Sequence, residues 1–371
     1  MNRTQKILDD IFNLKAHHTS VKTELSAGTT TFLTMAYIVV MQPMILSGRL
    51  FGLSTGMDFG SVMTATCLSA ALATLIMALY AKYPIALAPG MGENFFFVLS
   101  VIPAAAAAGF ANSWQVALGA TLFAGIIFLL LSLLGVRAMI VNAVSPSMKS
   151  SMAVGIGLFI AFIGLQNAGL ITTSASIVSG PDGPLLNPGT LVKLNPDFAS
   201  IDLIIFFTGL IITSVLYVRR VRGAIMVGIV ITALTALGVR GALALLPAQV
   251  SASAVFAGSG LLNQFSLAEG VFSLPPSVAP TFLRFDLAGA LSLRMVPFII
   301  IFLFMDMFDT IGTLVGVSRQ AGLVKDNKIP RARQAMLADS VGTVAGACLG
   351  TSTVTSFIES AAGVEQGGKT G

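Results

Sequence analysis

The stretch YPIALAPGMGENFFFV, residues 83–98, decides the fold. It closely follows an apolar run of membrane-spanning length, yet two prolines and two glycines interrupt it and Glu93 lies inside it. A continuous helix facing lipid is excluded, because lipid offers no hydrogen-bond partner to the backbone groups that such a break exposes. Irregular backbone at membrane depth is tolerated where it lines a cavity inside the protein, so the stretch predicts a discontinuous span.

A second stretch of the same kind is GTSTVTSFIESAAGV, residues 350–364. It also follows an ordinary apolar span after a short link, and it places Glu359 among six serine and threonine hydroxyls. The two stretches are the third and the tenth predicted spans, and an odd separation of seven gives them opposite directions across the membrane. Broken helices at matching positions of inverted halves indicate the binding site of a secondary transporter.

The composition of the whole chain requires a lipid environment. Of its 371 residues, 55% are hydrophobic and 10% are charged, and the mean hydropathy is +0.89. A soluble domain carries about 25% charged residues, so the fold class is an all-α polytopic membrane protein. Ten spans are predicted, at residues 25–46, 61–81, 84–102, 115–135, 147–170, 201–218, 223–239, 295–316, 334–350 and 351–364.

The basic residues predict the orientation of the chain. With a cytoplasmic N-terminus, 16 of the 21 lysines and arginines fall in cytoplasmic segments, as the positive-inside rule requires. We therefore expect a multi-pass protein of the cell membrane, in which residues 1–24 form a cytoplasmic segment with an interfacial helix. Residues 241–294 are predicted as an external excursion, because a span there would move the basic cluster at 319–333 outside. The pattern offers no basic and aromatic surface for nucleic acid.

Carboxylates lie within the predicted spans at Glu93, Asp306, Asp309 and Glu359. A charged carboxylate at the bilayer centre costs about 2.5–3.5 kcal/mol. The spans that carry these residues hold no lysine or arginine away from their ends, which disfavours structural salt bridges. We expect the carboxylates to face a cavity, where they accept hydrogen bonds from a ligand, bind a cation or carry a proton. All four residues are candidates for proton coupling.

Asp306 and Asp309 are three residues apart and share one face of a helix. Two carboxylates this close repel each other, so both are not expected to be ionised at depth. Three readings of Asp306 stay open: a proton site, a hydrogen bond that packs helices, or neither.

The chain carries no pattern of an enzyme or of a metal protein. It has no P-loop, no HExxH and no GxSxG sequence, and its two cysteines, Cys67 and Cys348, are too far apart in sequence to indicate a metal site. We therefore expect no catalytic residue, no cofactor and no metal. An ion channel is disfavoured as well, since no polar face runs continuously along several of the predicted helices.

Four segments together resemble the adenine/guanine/hypoxanthine permease branch of the nucleobase:cation symporter type 2 family, which has a nucleobase-ascorbate transporter-like fold. The segments cover nearly the whole chain in order, so the resemblance is specific. They are ELSAGTTTFLTMAYIVVMQP at 24–43, APGMGENFFF at 88–97, MFDTIGTLVGV at 307–317 and GTSTVTSFIESAAGVEQGGKTG at 350–371.

The resemblance implies fourteen spans in an inverted 7+7 repeat with a core domain and a gate domain. Residues 25–240 then form the first repeat, with 25–135 in the core and 147–240 in the gate. Residues 295–371 begin the second repeat, and its remainder is absent, so we expect this chain to be truncated after the tenth span and not to transport alone. The implied mechanism is elevator-like symport with a proton or another cation, and a homodimer is left open.

The resemblance also implies the substrate and the site. Purine nucleobases, namely adenine, guanine and hypoxanthine, are the implied cargo; the alternative is another planar or anionic solute, such as uracil, xanthine or sulfate, carried by the same fold. Relatives often have an apolar residue where Glu93 stands, so tuning of specificity, proton coupling and pairing with a backbone group all stay open for it. The implied substrate-binding residues are Asp309 and Glu359 for the polar groups of the base, Phe357 for its face, and Glu93, Asn94, Phe95 and Ser360 around it.

Overall fold

The structure, a computed structural model, describes residues 11–51, 53–134, 145–172, 200–219, 223–244, 273–324 and 329–371, with Asp9, Val221, Ser259 and short pieces between 176 and 198. The chain divides into two compact units. The first unit consists of Met1–Ile156 and Leu274–Gly371, and the second consists of Gly157–Ser273. Residues 1–8 and 10 of the predicted interfacial segment, and residues 245–258 and 260–272 of the predicted external excursion, lie outside the described residues.

The described secondary structure is mostly helical, as predicted. Five described segments are long and apolar enough to cross a membrane: Val21–Leu46, Phe59–Ala81, Ser113–Leu133, Ile201–Val218 and Val296–Gln320.

In the first unit, the first span is divided into α1 (Val21–Met35) and α2 (Ile38–Leu46), with Tyr37 at the break. The remaining helices of this unit, and one helix that begins in it, follow in chain order. They are α3 (Phe59–Ile76, continued by the π-helical Met77–Ala81), α4 (Met91–Phe96, continued by the π-helical Phe97–Val101), α5 (Ile102–Ala107), α6 (Ser113–Leu133), α7 (Pro146–Asn167), then α10 (Leu287–Ala290), α11 (Val296–Gln320), α12 (Ala332–Leu349) and α13 (Ser360–Glu365).

The second unit contains the antiparallel helices α8 (Ile201–Val218) and α9 (Ala224–Ala244) and four short strands. The strands are β2 (Ile171–Thr172), which pairs with β5 (Lys193–Leu194), and β3 (Ser176–Gly180), which pairs with β4 (Gly183–Asn187). These strands were not predicted, because no alternation longer than a few residues marks them. Glycines at the facing ends of β3 and β4 suit the close return of the chain.

The two interrupted stretches meet in the first unit. Neither is a continuous helix: β1 (Leu87–Pro89) is followed by α4, and β6 (Val354–Ser356) is followed by α13. The strands β1 and β6 are antiparallel partners, with Ala88 opposite Thr355. The Gly90 N–H donates to the Thr353 carbonyl at 3.0 Å and the Phe357 N–H to the Ala86 carbonyl at 2.9 Å, which extends the pairing. Each stretch thus satisfies backbone groups that the other leaves without a helical partner.

A buried amide cluster lies beside this pairing. Gln42 of α2 is fully buried, and the two N–H groups of its Nε2 are shared among three acceptors, Asn94 Oδ1 at 3.0 Å, Thr351 Oγ1 at 2.8 Å and Ser352 Oγ at 3.1 Å. The Asn94 amide donates back to Gln42 Oε1, and the Ser352 hydroxyl donates to Asn94 Oδ1. The cluster joins the first, third and tenth spans through groups that all have partners, as buried polar groups require.

Small residues bring the helices of this unit into close contact. A Cβ at Gly125 of α6 would meet Thr343 and Val344 of α12, and a Cβ at Gly342 of α12 would meet Ala73 of α3 and Val354 of β6. Glycine at these crossings lets the helix backbones approach, which is the usual basis of helix packing in membranes. As a result, α12 lies against both α3 and α6 and carries its polar side chains to strand β6.

Candidate functional site

Helix α11 carries Asp306 and Asp309 beside strand β6, since its Thr310 is hydrogen-bonded to Thr355. Asp306 is 1% exposed, whereas Asp309 is half-buried and accepts no hydrogen bond from another described residue. The carboxylates of Glu93, Asp339 and Glu359 are close enough to Asp309 to interact with it electrostatically. Gly312, one turn after Asp309, is buried, and a Cβ there would meet no atom within 4 Å outside its own helix. Open space therefore lies beside this buried part of α11.

Glu359 lies between β6 and α13 and is half-buried. Its Oε1 accepts a hydrogen bond of 2.6 Å from the hydroxyl of Tyr37, at the break in the first span. Tyr37 was not predicted as a site residue. The signal was present, because Tyr37 is the single tyrosine of the first predicted span and a buried phenol needs a polar partner.

Glu93 lies in the first turn of α4, and its side chain is 2% exposed. Its Oε2 has no hydrogen-bond partner among the described residues. The carboxylate folds back over the start of its own helix, so that a Cβ at Gly90 would collide with it and with Thr355 of β6. Glycine at position 90 therefore makes room for the carboxylate between the two interrupted spans.

A fifth intramembrane carboxylate, Asp339, was overlooked in the sequence although it lies in the ninth predicted span. It is fully buried on α12, and its Oδ2 accepts from the Thr310 hydroxyl at 2.8 Å. One turn along α12, the Thr343 hydroxyl lies 3.2 Å from Asp306 Oδ2 as its donor. Helices α11 and α12 therefore each carry an aspartate followed four residues later by a threonine. The threonine of each helix is hydrogen-bonded to the aspartate of the other.

These paired groups also hold strand β6. The Thr343 hydroxyl accepts from the Val354 N–H at 3.1 Å, and its one hydrogen is shared between Asp306 Oδ2 and the Val354 carbonyl, which lies at 3.0 Å. The Thr310 hydroxyl lies 2.9 Å from the Thr355 hydroxyl in a further hydrogen bond. We call the four side chains Asp306, Thr310, Asp339 and Thr343 the aspartate–threonine clamp. The clamp fixes the strand that leads to Glu359 against α11, which carries Asp309.

The other predicted site residues have partners of their own. Phe357 is 5% exposed and packs in an apolar cluster with Met35, Ile38, Ala86 and Ala88, next to Glu359 in sequence. Phe95 packs edge-to-face on Phe51 at 5.7 Å between centroids. Asn94 belongs to the amide cluster, and the Ser360 hydroxyl accepts from the Ala86 N–H at 3.0 Å. The structure thus brings Glu93, Asp309 and Glu359 together, and places Asn94, Phe95 and Ser360 in the frame around them.

The site is acidic and has no nearby counter-charge in the described part of the chain. No described lysine or arginine forms a salt bridge with Glu93, Asp309 or Glu359, and no group of three or more described His, Cys, Asp or Glu side chains could hold a metal ion. Carboxylates accept hydrogen bonds from N–H groups and repel anions. The arrangement suits a neutral or cationic ligand that is rich in N–H donors.

A cavity of about 400 Å³ in the first unit borders the apolar cluster that contains Phe357, since Met35, Ile38 and Ala86 belong to both. Its walls are mostly apolar side chains of α1, α2 and α3, such as Met35, Val39 and Ala70, together with the residues before β1 and the final residues of the chain. Glu93, Asp309 and Glu359 do not line this cavity. Its volume alone does not make it the candidate site, because the one carboxylate in its lining, Glu24, already accepts from the backbone N–H groups of Lys369 and Thr370.

Comparisons with known proteins identify a family, related sequences and a solved structure of similar fold. The family model Xan_ur_permease, described as a permease family, matches residues 22–371. The chain is 41% identical to the guanine/hypoxanthine permease PbuG of Bacillus subtilis, over 95% of this chain and 72% of that protein. It is 37% identical to the adenine permease AdeP of Escherichia coli, over 99% and 72%. The fold resembles the transmembrane domain of the cyanobacterial bicarbonate transporter BicA, with a TM-score of 0.57, 14% identity and coverage of 94% and 78%.

Proposed function

Since the chain belongs to the Xan_ur_permease family of membrane permeases, we propose that it takes up purine nucleobases, namely adenine, guanine and hypoxanthine, by proton symport. The observation that carries the proposal is the group formed by Asp309, Glu359 and Glu93 at the two interrupted spans, without a basic partner among the described residues. The names of the relatives support purines as the cargo, since they are guanine/hypoxanthine and adenine permeases.

A purine matches the chemistry of these carboxylates. Each of these bases carries N–H donors on its edges, and a carboxylate can accept from adjacent donors. Asp309 is free to accept from one edge of the base, and Glu359, held by the Tyr37 hydroxyl, accepts from another. The open space beside Gly312 would receive the flat ring, and Phe357, two residues before Glu359, is proposed to cover its face. Each charge-assisted hydrogen bond contributes about 1.5–3 kcal/mol in a dry site.

The proposed transport step follows the division of the chain. The first unit holds all the carboxylates of the site, and the second unit is a separate compact body. In an inverted 7+7 arrangement, residues 25–135 and 295–371 of the first unit would form the moving core that carries the base, and residues 147–240 would belong to the gate. The N-terminus is proposed to be cytoplasmic, so that the concentration of basic residues lies inside.

The carboxylates also supply groups that can carry the coupled proton. Several acidic side chains lie within electrostatic range of one another, so their full ionisation in a poorly solvated site is unfavourable. Protonation of one of them together with binding of the base would relieve that repulsion. Substrate and proton would then cross together, and release of the proton inside would weaken binding of the base.

Uptake by cells that lack their own purine permeases tests this function. Cells expressing the complete gene product should accumulate labelled adenine, guanine or hypoxanthine, and a protonophore should abolish the accumulation. Excess unlabelled purine should compete, whereas sulfate should not, since the acidic site repels an anion. Competition by uracil or xanthine as strong as that by purines would favour another planar solute, and competition by sulfate would overturn the proposal.

A further inference from the structure

We infer that Glu93 is a specificity-determining residue, which makes the site prefer purines with an exocyclic amino group, such as guanine and adenine, over hypoxanthine. The inference rests on the proposed function and names the substrate class within it. It begins from the environment of Glu93. This side chain is 2% exposed, and its Oε2 has no hydrogen-bond partner among the described residues. A buried carboxylate oxygen left without a donor is unfavourable, so a ligand that supplies one gains affinity.

The position of Glu93 directs this oxygen to the candidate site. The carboxylate lies over Gly90 at the start of α4, next to Thr355 of β6. Thr355 is hydrogen-bonded to Thr310, the neighbour of Asp309 in α11, and Glu93 and Asp309 interact electrostatically. Glu93 thus approaches the base from the third span, while Asp309 and Glu359 approach from the eighth and the tenth.

The donors of the candidate bases differ in a way that a third acceptor can detect. Hypoxanthine has one pyrimidine-ring N–H and one imidazole N–H, which Asp309 and Glu359 suffice to accept. Guanine has both of these ring N–H groups and an amino group with two further N–H donors. Adenine has no pyrimidine-ring N–H, but its imidazole N–H and the two N–H groups of its amino group also make three donors. An amino purine can therefore satisfy all three carboxylates, whereas hypoxanthine leaves the Glu93 oxygen without a donor. Xanthine places a carbonyl oxygen where guanine has its amino group, so a carboxylate there repels it.

The expected size of this preference follows from the cost of an unpaired buried acceptor. A site built to bind an amino or hydroxyl group discriminates strongly against an analogue that lacks it, because its own buried group is then left unpaired. We expect guanine to bind at least about tenfold more tightly than hypoxanthine, the effect of one lost charge-assisted hydrogen bond. Xanthine should bind more weakly than either.

Equilibrium binding to the purified protein tests the inference. Labelled guanine is displaced by unlabelled guanine, adenine, hypoxanthine and xanthine in the wild type and in Glu93→Leu, Glu93→Gln and Glu365→Gln. The ratio of guanine to hypoxanthine affinity should fall at least about tenfold in Glu93→Leu, through weaker guanine binding, and fall less in Glu93→Gln, which keeps a carbonyl acceptor. Glu365→Gln, a change at an exposed carboxylate outside the site, should keep the wild-type ratio.

The wild type alone can overturn the inference, so the result does not depend on whether a Glu93 variant folds. Hypoxanthine binding as tight as guanine binding in the wild type contradicts it while leaving purine transport intact. An unchanged ratio in a folded Glu93→Leu protein contradicts it as well. Absence of binding by any purine would overturn the proposed function together with this inference.

Discussion

Asp309→Asn is expected to reduce purine uptake at least about 100-fold while the protein stays in the membrane, since a charge-assisted hydrogen bond to each base is lost and an amide N–H is turned toward the ring N–H donors. Asp309 interacts electrostatically with the carboxylates of Glu93, Asp339 and Glu359. It has no hydrogen-bond partner among the described residues. Its polar atoms are therefore available to a ligand. Glu359→Gln should cause a similar loss, because Glu359, on the interrupted tenth span, is proposed to accept from another edge of the base.

Uptake of labelled guanine by cells that express each variant at matched membrane levels measures this effect. Asp286→Asn is the matched control, since Asp286 caps α10 by accepting from the Gly289 N–H at 2.9 Å and asparagine caps helices equally well. It removes a carboxylate outside the site and should leave uptake near the wild-type rate. Substantial uptake by both Asp309→Asn and Glu359→Gln would show that the base binds elsewhere.

Thr343→Val should produce the largest loss of stability among conservative changes. The threonine hydroxyl accepts from the Val354 N–H, and its one hydrogen is shared between the Val354 carbonyl and Asp306 Oδ2, all within 3.2 Å. Valine has nearly the same shape but none of these bonds, so a buried N–H and a buried carboxylate each lose a partner. We expect the free energy of unfolding to fall by about 2–4 kcal/mol. Purine binding should weaken too, because β6 leads directly to Glu359.

The midpoint of thermal unfolding in detergent checks this prediction. Thr343→Ser keeps the hydroxyl and should restore most of the stability that Thr343→Val loses. Thr29→Val is the matched control, since the hydroxyl of Thr29 is exposed on α1 and donates only within its own helix, to the Leu25 carbonyl at 2.8 Å. Equal midpoints for Thr343→Val and Thr29→Val would show that the aspartate–threonine clamp does not hold β6.

Local sequence predicted the interruptions of the third and tenth spans because their causes are local. Pro84 and Pro89 restrict the backbone and Gly90 frees it, in any sequence context. The hydroxyl-rich run after Gly350 can hydrogen-bond to backbone groups that a broken helix exposes. A carboxylate among apolar residues is also visible without a structure, which is why Glu93, Asp309 and Glu359 were selected. Their closeness to one another was an expectation that the electrostatic contacts of Asp309 support.

Partners that are distant in sequence could not be read from spacing. Tyr37 and Glu359 are 322 residues apart, and the Thr310 and Asp339 side chains meet only because α11 and α12 pack side by side. Asp339 itself was detectable, since an aspartate followed four residues later by a threonine occurs on both helices. The pairing of β1 with β6 could not be predicted either, because the two strands are far apart in sequence. Strands of three residues carry too little alternation to be recognised.

The most direct test of the central claim is the position of a bound purine in an experimental structure of the complete gene product with guanine. The account predicts the base beside α11, with N–H groups about 2.7–3.2 Å from carboxylate oxygens of Asp309 and Glu359. Guanine bound instead in the apolar cavity lined by Met35, Val39 and Ala70, away from all three carboxylates, would contradict it.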